Sequence, residues 1–466
     1  MRRILLLAVI IAAWVRPLEA DLPGYDDAYY ARKAFEVAQS GEWLALPFNG
    51  APTFDNPPLG IWAQALTFKL VGASDAAARL PTGLFGVLLI LLAFEWGKKL
   101  FGERWTAFIL AALILCNPLF LKYLRRSMLD VGLMFWSLAG IYLAQSKPLN
   151  RSMQVISGAS FGLAYLTKSI LGLTAPIALI IGWGLAGGEC RRQLKSWWLP
   201  AAAGFFLVVG TWLGVMTSKF GFPFVQGHFV WLLWGEGVRG ISDSGRFATL
   251  SRLVVLLLPV SALFIATLAG PRRMRIARSG GWGNLPVPWA WTWVSFILLM
   301  AAGPRKLWYF LAVLPGVAAI AASGVANLSR DRPELRRSIL KGVTVAWCFF
   351  GLAIISLPIP LHRDRTEGIR AIAEEVRART SPRTPVSFFF PGESCRWDVR
   401  NAFLWYADRP VEGCSPTPSG KLPDPAPDRR WFLTSADGLQ QLRAGTEPVL
   451  VWSQQGDLVL ASREPV

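Results

Sequence analysis

Apolar runs of about 14–19 residues recur along the first three-quarters of the chain, most of them near the length that crosses a hydrocarbon core about 30 Å thick as a helix. They lie near 3–17, 80–96, 105–121, 129–144, 155–168, 170–185, 198–216, 253–270, 287–302, 308–325 and 339–357. The pattern predicts about eleven crossings, the weakest being the first and the closely spaced pair flanking Ser169. The polar interval 21–79 separates the first run from the rest. Within it, residues 28–40 carry a helical period that ends at Gly41.

Beyond residue 357 the pattern changes. The last stretch is polar, rich in Pro and Arg, and has no further span. Helical periodicity is expected over 366–379, 398–407 and 436–443, and short alternating or apolar strands over 385–390, 430–433, 448–452 and 458–461. About 100 residues can enclose a small core. The chain therefore divides into a transmembrane domain, 1–358, whose first outer loop is 21–79, and an extracytoplasmic α/β domain, 359–466.

Composition agrees with the spans. Fifty-three per cent of residues are hydrophobic and 22 are tryptophan, which places the chain among integral membrane proteins. The formal charge of +18 is concentrated in clusters flanking the spans: Arg2 and Arg3; Lys98, Lys99 and Arg104; Lys147 and Arg151; Arg191, Arg192 and Lys195; Arg272 to Arg278; and Arg330 to Lys341. Lys and Arg beside spans mark the cytoplasmic side, so alternation puts the 21–79 loop outside. The charge is that topological signal and not a nucleic-acid footprint. The N-terminus has a second reading as a cleavable signal peptide, with Arg2-Arg3 before an apolar core. Either form exports the loop. Of five cysteines, only Cys395 and Cys414 share the outer domain, where they either form a disulfide or remain free thiols. Tryptophans near span ends, such as Trp105 and Trp198, suit an aromatic belt at the headgroups.

The exported loop is where chemistry is expected. Asp26 and Asp27 precede its helix, and Asp55 stands beside Asn56, Pro57 and Pro58. One of the first two carboxylates suits an N-cap, a role that does not exclude catalysis. Asp130 opens a span, where an unpaired carboxylate is expensive. It is either paired with a neighbouring arginine or part of a site. Arg126, Arg239, Arg246, Arg305 and Lys306 are outward cations, each able either to meet a phosphate or to snorkel. His228 sits among Phe229, Trp231 and Trp234, an environment that suits a structural donor as well as a ligand. His362 has no partner motif.

The order Tyr25-Asp26-Asp27, Tyr30, Gly41-Glu42-Trp43, Asn49-Gly50, Phe54-Asp55-Asn56-Pro57-Pro58-Leu59, Trp62 and Ala78-Arg79-Leu80 resembles the first extracytoplasmic loop of the polyprenyl-phosphate-dependent GT-C glycosyltransferases. These include the protein O-mannosyltransferases and the lipid A aminoarabinose transferase. Arg126 with Asp130, Gly162-Leu163, Leu166-Thr167-Lys168, His228-Phe229, and Arg305-Lys306 with Tyr309 and Pro315 extend the likeness. The resemblance implies a multispan α-helical GT-C membrane protein of the inner (cytoplasmic) membrane, with its active site on the outer face. It implies an inverting transfer of a sugar from a polyprenyl-phosphate carrier to an extracytoplasmic acceptor: a lipid A-like glycolipid, a protein or a cell-envelope glycan. Asp26 would be the general base and Asp27 would orient it. Asp55, Asn56, Arg126, Asp130, Arg305, Lys306 and Tyr309 would contact the donor and its phosphate. Where aminoarabinose transferases carry Glu-Lys before proline, this chain has Asp55-Asn56. In those enzymes a His of the later loop shares a metal with the acidic residue, so Asp55 and His228 are the candidate ligands of a divalent ion. The competing class is a transporter or lipid flippase, but such proteins usually show repeated halves and mid-membrane polar groups.

Overall fold

The computed structural model describes residues 1–14, 21–22, 24–146, 150–230, 251, 253–269, 285–301, 307–356, 368–391, 396–413, 431–445 and 448–463. The chain forms two compact units. One comprises Met1–Leu18, Phe54–Ala63 and Arg79–Pro358, and the other Glu19–Thr53, Gln64–Ala78 and Ile359–Val466.

The first unit is helical. Each expected span coincides with a helix or with part of one. Among the described residues, Asp75–Phe101, Arg151–Ala186, Gly188–Phe220 and Trp308–Ser329 are long and apolar enough to cross a membrane, and Arg104–Leu115 with Pro118–Leu124 makes a fifth if that pair, bent by 67°, is one span. Asn117 accounts for the bend. It caps the second helix by accepting from the Phe120 N–H at 3.1 Å, and Pro118 follows at the first helical position, where its missing donor costs nothing. The closely spaced pair at 155–168 and 170–185 lies within the stretch Arg151–Ala186, broken by a 3₁₀ turn at Ser169–Leu173. Ser169 takes φ +47° there. A Cβ on Gly172 would strike the Tyr165 backbone, so the turn packs tightly against the end of the preceding helix. Helices Arg151–Lys168 and Gly188–Phe220 approach with Gly158 against the Ala201 carbonyl and Gly204 against the Val155 carbonyl. Small residues are what allow two backbones to come this close.

The second unit is α/β. Strands β1 (Val386–Phe389), β2 (Val411–Glu412), β3 (Trp431–Ser435), β4 (Val449–Gln455) and β5 (Leu458–Arg463) form one sheet in the order β2-β1-β3-β5-β4. β1 runs parallel to β2 and β3, while β5 runs antiparallel to β3 and β4. The four expected strands and three expected helices are present, and two-residue β2 is an addition. Helix Ile369–Arg379 buries Ile369, Ile372, Ala373 and Val376, the i, i+3, i+4, i+7 stripe of a helix with one covered face. Those residues join Phe388, Phe403, Leu433 and Leu460 in one core, which also takes Phe48 from the first loop.

Candidate functional site

The first loop is more ordered than its sequence pattern suggests. Its helix begins at Asp26 and runs to Ser40, ending at Gly41 with φ +76°. Tyr25, not an aspartate, is the N-cap, so the expected capping role falls away and both acids lie in the first turn. That turn still suits them, because its N–H groups have no intrahelical acceptors. Asp27 is fully buried and Asp26 half-buried. The Tyr30 hydroxyl, one turn on, lies 3.5 Å from Asp26 Oδ2. The interval also contains a helix that periodicity did not reveal, Leu59–Val71.

In the helical unit, Asp130 opens helix Asp130–Ala144 and receives the Lys168 ammonium at 2.6 Å. The two side chains are only 2% and 11% exposed. Lys168 Nζ also stands 4.7 Å from the centre of the Tyr309 ring, so the structure brings Asp130 and Tyr309 to one ammonium. Arg126 is buried, with its guanidinium 5.4 Å from the Tyr123 ring centre. Tyr123 in turn packs on Trp308 at 5.8 Å. A buried guanidinium is not a snorkelling one. Arg79 and Arg125 are buried too. Burial pushes Arg125 below the usual arginine range, and the nearby Arg79 charge pushes it further.

Lys168 is the residue that sequence reasoning left without a role. The available signal was an ammonium between two apolar runs, where an ionisable group is costly. Arg239, Arg246, Arg305, Lys306, His362, Cys395 and Cys414 lie outside the described residues.

His228 is fully buried and edge-on to Trp212 at 5.1 Å. Its Nδ1 lies 3.2 Å from the Phe54 carbonyl oxygen, and its Nε2 3.2 Å from the Tyr165 hydroxyl. Burial holds the ring's pKa below the ordinary histidine value, against the opposing effects of the Phe54 bond and the Asp55 charge. In the neutral ring the tautomer follows from the partners. A carbonyl only accepts, so Nδ1 carries the proton and Nε2 accepts from Tyr165. A metal would need a lone pair already engaged in that bond. Among the described residues no group of three or more His, Cys, Asp or Glu gathers where an ion could sit. Asp55 is close enough for its charge to reach His228, but the donor set does not fit a metal centre.

Comparison with known proteins gives these side chains a context. Residues 55–215 match the family described as dolichyl-phosphate-mannose-protein mannosyltransferase. The fold matches, with a TM-score of 0.75 and 18% identity, the crystal structure of ArnT from Cupriavidus metallidurans bound to undecaprenyl phosphate, covering 99% of this chain and 97% of that one. In sequence over residues 55–215 and in fold, the chain is similar to lipid-carrier GT-C glycosyltransferases. Among its curated relatives are two undecaprenyl phosphate-alpha-4-amino-4-deoxy-L-arabinose arabinosyl transferases. That of Shewanella sediminis is 24% identical over 362 residues, 74% of this chain and 63% of the relative. That of Edwardsiella ictaluri is 22% identical over 327 residues, 67% and 57% respectively. An uncharacterised protein of Aquifex aeolicus is 29% identical over 207 residues, 43% of this chain and 45% of its own length. The chain thus spans about half to two-thirds of the length of these relatives. The family match begins at Asp55, inside the first loop, and takes in Arg126, Asp130 and Lys168 but not Asp26, Asp27, His228 or Tyr309.

Proposed function

We propose that this protein is an integral-membrane, inverting glycosyltransferase. It moves a sugar from a polyprenyl-phosphate carrier to an extracytoplasmic acceptor at the outer face of the inner membrane. The observation that carries the reading is the first turn of helix Asp26–Ser40, where a half-buried and a fully buried carboxylate are adjacent. The mannosyltransferase family match over 55–215 and the GT-C fold supply the reaction class.

The chemistry asks little of a general acid, because phosphate is already a good leaving group. The acceptor oxygen attacks the anomeric carbon, and the bond from that carbon to the phosphate oxygen breaks on the opposite side. The electron pair leaves with the lipid phosphate, and the acceptor proton passes to Asp26. A positioned carboxylate serves as such a base, and Asp27 fixes its orientation. Charge that grows on the phosphate is met by cations: Arg126, Arg305 and Lys306, with Lys168 added through its contacts to Asp130 and Tyr309. Asp55 and Asn56 line the donor side. No step is assigned to a metal, because His228 is taken up by Tyr165 and Phe54. The finer topology belongs to the same reading: about eleven crossings, with the sheet-containing domain outside. Purified protein incubated with a panel of labelled polyprenyl-phosphate sugars tests it. Consumption of one sugar, abolished by Asp26→Asn, is the expected result. A panel left intact would remove the assignment.

A further inference from the structure

The helix that carries Asp26 and Asp27 is tied to the C-terminal sheet through a continuous, partly buried network within the second unit. Residues 48–51 form a tight turn in which Asn49 and Gly50 both have positive φ, +55° and +77°. The Phe48 and Ala51 backbones pair across it. This is the Asn-Gly hairpin chemistry that needs two left-handed residues. The side chain of Asn49 then behaves as a short strand. Its Nδ2 donates to the Val411 carbonyl at 2.8 Å, and its Oδ1 accepts from the Val411 N–H at 3.0 Å. Val411 belongs to β2, at the end of the sheet order, so a loop amide satisfies an edge that would otherwise offer free backbone groups.

The same turn is tied to the catalytic-loop helix. Glu36 Oε1 accepts the Asn49 N–H at 2.8 Å, and Oε2 accepts the Gly50 N–H at 3.0 Å. Arg32, one turn earlier, donates from Nε to Glu36 at 2.6 Å. Its Nη1 reaches the Leu404 carbonyl at 2.9 Å and Asp408 at 2.6 Å. Leu404 lies in the last turn of helix Trp397–Ala407, and Asp408 is its left-handed C-cap, so Arg32 fills a helix end whose carbonyls lack intrahelical donors. Arg32 and Glu36 are both buried. Buried charges of this kind persist only when paired and hydrogen-bonded, and losing one partner strands the others. Asp26 sits six residues before Arg32 on the same rigid helix.

We propose that the C-terminal α/β domain is the seat of the Asp26 helix, and that Asn49, Glu36 and Arg32 are positioning residues for the transfer. The proposal rests on the reading of Asp26 as base. It gives the domain a part in catalysis without a substrate contact of its own, since misplacing a reacting group by about 1 Å can cost about a hundredfold in rate.

Asn49→Gly tests it most cleanly. Glycine accepts the left-handed backbone but loses both bonds to Val411. We expect kcat for the panel sugar consumed by the unaltered protein to fall at least about tenfold, with KM for that donor little changed. Hydrogen exchange should quicken in the amides of helix Asp26–Ser40 while β3 and β5 keep their protection. Glu36→Gln, which retains size and one acceptor, should do the same more mildly. Unchanged kcat or unchanged helix exchange would overturn the proposal. So would a fall in activity with matching loss of protection in the sheet, the signature of a merely structural joint. In the Asp26→Asn background, Asn49→Gly should add little, and a fully additive loss would show that it does not act through Asp26. Full activity of Asp26→Asn alone would instead retire the base assignment. The exchange measurement on Asn49→Gly would still decide the seat.

Discussion

Lys168→Met removes the ammonium that lies 2.6 Å from Asp130 and leaves a carboxylate only 2% exposed. At an effective dielectric of about 20, two unit charges about 4 Å apart attract by about 4 kcal/mol. Stranding one member of a buried pair typically costs about 3–5 kcal/mol. The lower end is expected here, because Lys168 keeps 11% of its side-chain surface open and water relaxes part of the penalty. Three kcal/mol is roughly a hundredfold in the folded-to-unfolded ratio. Asp130→Asn should cost less, since the amide oxygen can still accept from the ammonium, and Lys168→Arg less again. The double variant Lys168→Met, Asp130→Asn should be more stable than the sum of the two losses predicts, by about 2 kcal/mol. Reversible unfolding in mixed detergent micelles measures all four corners of the cycle. Donor affinity is measured alongside, because the lost ammonium also leaves the face of Tyr309. Two additive single effects, each below about 1 kcal/mol, would mean a pair no stronger than an exposed one, and would refute both the burial argument and the place given to Lys168.

Asp26→Asn should leave a folded, donor-binding protein whose transfer is slower by at least about a hundredfold, and Asp27→Asn should slow it less; initial rates with the consumed panel sugar separate the two roles. Cysteine-accessibility labelling in sealed vesicles should find the Asp26 loop outside and the 272–278 loop inside, and the reverse pattern would overturn the topology. His228→Gln, which can keep a donor for Phe54 and an acceptor for Tyr165, should retain more stability and transfer than His228→Ala, whereas equal damage from both would reopen the ligand reading. Because the folded pKa of His228 is depressed, the unfolded chain binds the extra proton first as pH falls. Stability from this group is therefore full above about pH 6.5 and declines below it, a slope that Tyr165→Phe leaves in place and His228→Gln removes in denaturation series run at several pH values.

The sequence alone determined what depends on neighbours a few residues apart. Apolar runs located the helices, because a helix satisfies its own backbone inside a bilayer and needs only length and hydropathy. The stripe in Ile369–Arg379 and four of the five strands were legible for the same local reason, and Gly41 marked the end of the Asp26 helix. β2 was not legible, since two residues carry no period and become a strand only when β1 lies beside them. The cap was misread because an aspartate suits the N-cap and the first turn alike, and only backbone dihedrals distinguish Tyr25 from its neighbour. Tertiary structure decided the long-range contacts of the candidate residues. Lys168 meets Asp130 across 38 residues, His228 meets Phe54 across 174, and Asn49 meets Val411 across 362. The partner of a buried charge, the tautomer of a buried histidine and the seat of a loop helix are set by whichever group packing brings within hydrogen-bond reach. No periodicity along the chain encodes that distance.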